Sequence, residues 1–193
     1  KNLGAALKDT RVLILTGIQF GFVLGSYGIG IWLPTILKAH GLSITAISLV
    51  STVPYIFATV AMLTWARAVD KSGKKILNLL LTCVFAAVGM VIASIFHEFW
   101  PAMIGITIAV IGVTTARAVF WSIPTRFLSG AAAAGGLAFI NSVGTFGGFA
   151  GPFMVGWLKD VTGSFAMGML GMAGMLLLST ALTFSLRFFV KDE

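Results

Sequence analysis

Residues 67–75 read Arg-Ala-Val-Asp-Lys-Ser-Gly-Lys-Lys, a basic loop that separates two apolar runs at residues 44–66 and 76–96. A run of about 20 apolar residues is long enough to cross the hydrocarbon of a bilayer as a helix. Short polar loops divide the rest of the chain into four further runs, at residues 12–37, 100–123, 132–157 and 165–189. Because unpaired backbone groups are too costly in hydrocarbon, we predict an all-α membrane protein with six transmembrane helices.

The composition excludes a soluble domain. Of the 193 residues, 58% are hydrophobic and 10% are charged, and the mean hydropathy is +1.02. Soluble domains carry about 25% charged residues. The one cysteine, Cys83, closes no internal disulfide and makes no cysteine-rich metal site. The chain also lacks the G-x-x-x-x-G-K-[ST] phosphate loop, so nothing in it supports ATP-driven transport. We therefore expect no cofactor and no metal.

Lysine and arginine are divided unevenly between the two sides of the predicted bundle. Eleven lie on the side that holds both termini, and two, Lys38 and Lys159, lie on the other side. The positive-inside rule then places both termini in the cytoplasm. Orientation in the membrane explains the net charge of +7 better than a nucleic-acid partner does.

The start of the chain gives a further expectation. It begins Lys1-Asn2-Leu3, with no initiator methionine and no apolar signal segment before Arg11. We expect a piece of a longer polypeptide that begins just before a transmembrane helix.

When the sequence is compared with itself at a shift of 90 residues, two short motifs coincide. They are Pro-Thr at 34–35 and 124–125, and Asp-x-x-Gly at 70–73 and 160–163. Each repeat holds three spans, an odd number, so the two copies must cross the membrane in opposite senses. This is the inverted 3+3 arrangement of secondary transporters. The alternative is that proline and Asp-x-x-Gly simply mark helix ends.

The repeat defines the predicted organisation of the chain. It comprises a cytoplasmic lead-in at 1–11, a first three-helix repeat at 12–96, an outer loop at 97–99, a second three-helix repeat at 100–189 and a cytoplasmic tail at 190–193.

Several segments carry a family resemblance. The loop at 67–75 is similar to the D-R-x-G-R-R loop of the major facilitator superfamily, with lysines where arginines are commoner and Ala66 where the motif prefers glycine. Other segments resemble the anion:cation symporter family within that superfamily: Tyr27-Gly28, Trp32-Leu33-Pro34-Thr35, Phe120-Trp121-Ser122-Ile123-Pro124-Thr125, Ala131-Ala132-Ala133-Ala134, Ile140-Asn141-Ser142 and Gly147-Gly148-Phe149-Ala150-Gly151-Pro152. The resemblance covers the whole chain and corresponds to helices seven to twelve of that family.

The resemblance implies the C-terminal half of a secondary transporter in the bacterial inner membrane. It implies that the transporter moves small organic anions, such as sugar acids or dicarboxylates, by alternating access with proton symport. The implied partners are the N-terminal six-helix half, membrane lipid, the anion and a proton. Thr145 stands where the family often has asparagine, which leaves the substrate open.

Four polar residues inside two spans are candidate substrate contacts. Gln19 and Tyr27 are spaced i and i+8 on nearly one side of the first span, and Asn141 lies about mid-bilayer in the fifth span, with Thr145 one turn later. A buried amide in hydrocarbon needs partners, so these groups either contact substrate or hydrogen-bond between helices. We predict that Gln19, Tyr27 and Asn141 line one cavity that opens towards the N-terminal half.

Arg117 and Trp121 are further candidates near the inner end of the fourth span. Arg117 lies 17 residues after Trp100, roughly 26 Å along a helix. Its guanidinium suits a carboxylate. The alternatives are a pair with Asp70 or snorkelling to the inner interface. Trp121 either stacks on a substrate or belongs to an interfacial belt.

Asp70 and Gly73 are the candidate gating residues. In a basic loop at the cytoplasmic face, we expect Asp70 to pair with a basic group or to cap a helix, and Gly73 to make a tight turn. No carboxylate lies inside a predicted span, so a proton carrier would belong to the other half. His40 and His97 are interpreted as solvated loop residues.

Glycines recur at every fourth position on two spans, at Gly17, Gly21 and Gly25 on the first and in the pairs Gly144/Gly148 and Gly147/Gly151 on the fifth. This spacing predicts close helix approach.

Two rival interpretations remain open at this point. A six-helix homo-oligomeric channel or a non-transporting scaffold would have the same hydropathy. An intramembrane enzyme is less well supported, because no embedded nucleophile–base pair or metal cluster can be assembled. We therefore predict no catalytic residue.

Overall fold

The chain folds as a bundle of helices. A computed structural model describes residue 4 and residues 7–192. Within these residues, seven α-helices and one 3-10 turn have defined bounds, and there is no strand. In chain order they are α1 (Thr10–Ala39), α2 (Ile44–Ser72), α3 (Lys75–Ile95), α4 (Phe99–Phe120), the 3-10 turn (Pro124–Arg126), α5 (Gly130–Thr145), α6 (Gly147–Thr162) and α7 (Phe165–Leu186).

Five segments are long and apolar enough to cross a membrane. They are α1, α2, α3, α7 and the segment Phe99–Arg126, which contains α4 and the 3-10 turn. Their lengths of 21 to 30 residues satisfy the requirement of about 20 residues for a bilayer-spanning helix. The chain is thus an all-helical, membrane-spanning protein.

The fifth predicted span differs from the prediction of one helix over residues 132–157. The structure contains two helices of 16 residues, α5 and α6, interrupted at Phe146. Gly144, Gly147 and Gly148 flank the break and are poor helix formers, and the N–H of Phe146 donates to the carbonyl of Val143, three residues earlier, at 3.2 Å. Phe146 keeps helical angles of φ −57° and ψ −21°, so the interruption is a local break rather than a loop.

Glycine ends two of the helices in the same way. Gly73, at φ 69°, follows α2 and donates its N–H to the carbonyl of Val69 at 2.9 Å. Gly163, at φ 74°, follows α6 and donates to the carbonyl of Lys159 at 2.7 Å. A residue without Cβ adopts this left-handed conformation at little cost, which explains the tight turns into α3 and α7.

The helices pack around α1 and α4, which each carry more buried residues than any other helix. α1 contacts α7, α5 and α6, whereas α4 contacts α3 and α2. α3 and α7 also pack against each other, and α2 lies at the periphery with few buried residues. Phe22 of α1 meets Phe120 of α4 edge to face, with ring centroids 5.2 Å apart, and joins the two groups of helices.

The predicted close approach at the glycines is confirmed. A Cβ at Gly147 or Gly151 of α6 would strike the backbone carbonyls of Phe20 and Leu24 on α1. On another side of α1, a Cβ at Gly21 would strike Ser179 of α7. These contacts let α1 fit closely between α6 and α7.

A further glycine contact between α3 and α4 was not predicted. A Cβ at Gly105 would lie 2.6 Å from the backbone nitrogen of Ala93, and one at Gly112 would lie 2.6 Å from that of Ala86. The spacing of seven residues, rather than four, explains why the pattern was missed.

Candidate functional site

A polar cavity lies between α1, α4 and α5. Its volume is about 190 Å³. Eight residues line it: Gln19, Phe22, Val23, Tyr27, Arg117, Trp121, Asn141 and Thr145. All six residues predicted as substrate contacts are among them, from segments up to 126 positions apart in the chain. Their common location is a finding, whereas their role in binding stays a prediction.

The two amides of the cavity bond to each other. Nε2 of Gln19 donates to Oδ1 of Asn141 at 3.3 Å. Gln19 is 3% exposed, and its Oε1 is buried and has no hydrogen-bond partner within the described residues. Asn141 is exposed on the cavity side of α5. The pair therefore joins α1 to α5 and still leaves Oε1 of Gln19 without a protein partner among the described residues.

Tyr27 forms a side of the cavity against α6. It is 46% exposed and therefore presents part of its surface to the space beside the bundle. Gly148 makes room for the ring, since a Cβ there would stand 3.3 Å from Cγ and Cδ2 of Tyr27. The Gly144/Gly148 pair thus shapes the cavity in addition to bringing the helices together.

Arg117 reaches towards α1. Its Nη2 donates to the Ser26 hydroxyl at 3.2 Å. Gly25, which precedes Ser26, faces Val113, one turn of α4 before Arg117, whereas Phe22 meets Phe120, which follows it. The guanidinium therefore extends towards the N-terminal end of α4, as side chains on helices tend to do. This direction is opposite to the one that snorkelling at the C-terminal end of α4 would require.

Within residue 4 and residues 7–192, no carboxylate pairs with Arg117. The alternative of a pair with Asp70 is wrong, because Asp70 is an exposed residue in the last turn of α2 and makes no hydrogen bond or ion pair in the described chain. An arginine near hydrocarbon without an anionic partner is costly, so its head must meet water, another protein surface or an anion.

The last two of the six predicted contacts, Thr145 and Trp121, lie at the C-terminal ends of α5 and α4. Thr145 is the last residue of α5, directly before the break at Phe146. Trp121 follows α4 and packs edge to face on Phe120, with ring centroids 5.2 Å apart. The break in the fifth span therefore lies beside the cavity.

The two candidate gating residues differ in their structural roles. Gly73 makes the predicted tight turn at the end of α2. Asp70 does not cap a helix in this structure. The N-terminus of α3 is instead capped by Asp192, whose carboxylate accepts from the backbone nitrogens of Ile76 at 2.7 Å and Leu77 at 3.1 Å. Sequence separation of more than 110 residues hid this contact.

The two histidines lie outside the cavity. His40 is exposed, and its ring nitrogens lie 2.9 Å from the Ile36 carbonyl and 3.1 Å from the His97 carbonyl. No group of three His, Cys, Asp or Glu residues in the described chain is arranged to hold a metal ion. The chemical resources of the site are therefore one guanidinium, two amides, two hydroxyls and aromatic faces.

Ser26 contacts the cavity residue Arg117, and the sequence analysis did not single it out. It is half-buried and lies between Gly25 and Tyr27, but a serine in a helix carries little signal. Most hydroxyls in such positions bond back to their own helix, as Thr16 does to the carbonyl of Val12 at 2.8 Å. Only the position of Arg117, 91 residues away, distinguishes Ser26.

The fold is that of a helical membrane protein, and a sequence comparison identifies its family. Residues 15–193 match the Major Facilitator Superfamily, which is most of the chain. The protein belongs to this superfamily.

Its relatives are transport proteins of bacteria. It is 45% identical over 179 residues to the "Putative tartrate transporter" of Agrobacterium vitis, a match that covers 93% of this chain and 40% of that protein. It is 36% identical over 180 residues to the "Quinolone resistance transporter" of Acinetobacter baumannii, covering 93% and 42%. It is 30% identical over 189 residues to the "Inner membrane transport protein RhmT" of Escherichia coli K12, covering 96% and 44%. The chain thus spans less than half the length of these relatives.

Proposed function

We propose that this chain is the C-terminal six-helix bundle of a secondary transporter that moves small organic anions, sugar acids or dicarboxylates, by alternating access. The observation that carries the proposal is the cavity itself. It holds Arg117, which has no carboxylate partner in the described chain, beside the neutral polar groups of Gln19 and Asn141. A guanidinium binds a carboxylate in a bidentate way, and amides suit hydroxyl groups. The likeness to the Agrobacterium vitis protein supports the same substrate class.

The exposure of the cavity supports a second half as partner. Arg117, Asn141 and Thr145 are all exposed on the bundle surface. Such groups are costly against lipid tails, so this face is better covered by protein and water. A second six-helix bundle from the rest of a longer chain would cover it, and the lengths of the relatives leave room for one. Lipid would then contact the remaining apolar surface.

Inverted three-helix repeats fit the proposed transporter. α2 ends at Ser72 and α6 at Thr162, and α3 begins at Lys75 and α7 at Phe165, so both pairs are offset by 90 residues. The two repeats correspond when α1 is matched with α4, α2 with α5–α6, and α3 with α7. Under this matching, the contact between α1 and α7 corresponds to that between α4 and α3. The contact between α1 and α6 likewise corresponds to that between α4 and α2. The packing therefore supports repeats over residues 12–96 and 100–189, with α5 and α6 together as the sixth membrane crossing.

Orientation and coupling belong to the same proposal. The charge bias supports cytoplasmic termini and the inner membrane of a bacterium. The described membrane helices place no carboxylate in the cavity, so in proton symport the proton would be carried by the other half. The protein is then a carrier, not an enzyme, and a channel or scaffold is the outcome that a failed transport test would favour.

The test uses the full-length transporter in proteoliposomes with labelled tartrate and gluconate as probes. We expect saturable uptake that is lost in Arg117→Gln. Lys38→Gln is the matched control, because it also removes a positive charge but lies outside the cavity, in the last turn of α1. This variant should transport normally. A proton gradient should accelerate uptake. Absence of uptake by the unmodified protein, or equal loss in both variants, would contradict the proposal.

A further inference from the structure

Ser26 is the hydrogen-bond partner of Arg117 in the described chain, and its hydroxyl carries no charge. The bond runs from Nη2 to the serine Oγ at 3.2 Å and joins α4 to α1. A long arginine side chain has many conformations, and ordering it in one of them costs conformational entropy. Something must therefore hold the head in the cavity.

The Arg117 head has an alternative position nearby, at the polar interface beyond the end of α4. Arg117 lies in the last turn of α4, which ends at Phe120. From there a flexible arginine can reach the polar interface, where its charge is hydrated. The bond to Ser26 directs the head the other way, towards α1 and within the cavity that Tyr27 also lines.

The orientation of Ser26 differs from that of the helix hydroxyls that bond back to their own backbone. Thr107 and Thr180 bond back to carbonyls four residues earlier, at 2.7 Å and 2.9 Å. The Ser26 hydroxyl donates to no carbonyl within the described residues and instead accepts from Arg117. Its oxygen is therefore available to position the guanidinium.

A neutral acceptor has a consequence that a carboxylate would not have. It orients the arginine but leaves the positive charge uncompensated for an incoming anion. An aspartate in the same place would neutralise the guanidinium and compete with the substrate.

We infer that Ser26 is a positioning residue, which holds Arg117 in the cavity as a neutral acceptor and so sets the affinity of the carrier for carboxylates. This inference rests on the proposed function. It assigns a role to a residue that does not itself line the cavity.

The test compares four substitutions in the full-length transporter, with labelled tartrate in proteoliposomes. Ser26→Thr keeps the hydroxyl and should stay within about twofold of the unmodified KM. Ser26→Ala removes a bond to a charged group and should raise KM about tenfold, with kcat little changed. Ser26→Asn and Ser26→Asp differ mainly in charge, and the aspartate should raise KM at least about tenfold more than the asparagine does.

Two controls separate positioning from a general structural effect. Ser142→Ala, at an exposed residue on α5 next to Asn141, should leave KM unchanged. In the double variant Ser26→Ala/Arg117→Lys, loss of the serine should add little to the effect of the lysine, because the two residues act together.

The contrary outcomes are distinct. Normal KM in Ser26→Ala, equal KM in the asparagine and aspartate variants, or independent effects in the double variant would overturn the inference while transport itself remains. Absence of tartrate uptake by the unmodified transporter would overturn the proposed function and this inference with it.

Discussion

The side chain of Gln19 occupies the space that a side chain at Gly144 would need. A Cβ at position 144 would stand 2.8 Å from Cγ of Gln19 and 2.9 Å from its Cβ and Cδ. Real Cβ atoms do not come this close to another carbon, so the glycine permits the position from which Gln19 bonds to Asn141. Close helix packing and the polar pair of the cavity are therefore parts of one arrangement.

Gly144→Ala should displace Gln19 and impair the cavity. We expect a loss of about 1 to 3 kcal/mol in stability from overpacking, and an increase in KM of about tenfold or more for a transported carboxylate. Thermal unfolding in detergent and uptake kinetics measure the two effects. Gly174→Ala is the matched control, since a Cβ there meets nothing within 4 Å. Equal behaviour of the two variants would show that the space at position 144 is unimportant.

Asn141→Ala should weaken substrate binding more than it lowers the stability of the empty protein. Asn141 is exposed in the cavity, and its hydrogen bond to Gln19 is 3.3 Å long. We expect an increase of about tenfold in KM and a small change in Tm, because little packing is lost. Substrate-dependent thermal shift and uptake give the two quantities. A fall in Tm with normal KM would instead assign Asn141 to helix contact alone.

Asp192→Ala should loosen the start of α3. The carboxylate caps two backbone N–H groups, of Ile76 and Leu77, and the preceding Lys74 makes no side-chain cap. Loss of a cap costs about 1 kcal/mol. Hydrogen exchange of the first turn of α3 should quicken, and Tm should fall slightly. Lys191→Ala serves as control. Unchanged exchange in Asp192→Ala would contradict the capping role.

Asp70→Asn should lower transport without lowering stability. The side chain is exposed and makes no hydrogen bond in the described chain, so the empty fold loses little. A gating role requires its charge in a different state of the cycle, so the rate of uptake should fall while Tm stays constant. Full uptake by a stable Asp70→Asn protein would remove Asp70 from the gate.

The membrane class and the candidate cavity residues could be predicted from the sequence, for different reasons. Polar residues such as Gln19 and Asn141 are conspicuous in apolar runs because their burial is costly, and this cost also makes them seek one another. Glycines at every fourth position on α1 and α5–α6 indicated close packing, which the structure confirms. Arg117 could be identified as a candidate from the sequence, but the direction in which its guanidinium extends could not be predicted.

Other features lay beyond prediction from one sequence. The fifth span looked continuous, because hydropathy does not register the interruption at Phe146. The loop position of Asp70 suggested either a basic partner or a helix cap, whereas Asp192, from the far end of the chain, caps α3. Ser26 had no visible distinction without its partner.

By itself, the sequence determined that this protein is a helical membrane bundle, and it predicts that basic residues are concentrated on one side. Hydropathy and charge are properties of neighbouring residues, and the cost of unpaired backbone in hydrocarbon leaves the helix as the form of each apolar run. Only the tertiary structure decided that Gln19 bonds to Asn141 and that Arg117 turns towards Ser26. These pairs join residues about 90 to 120 positions apart, and their formation depends on how closely glycine lets the helices approach.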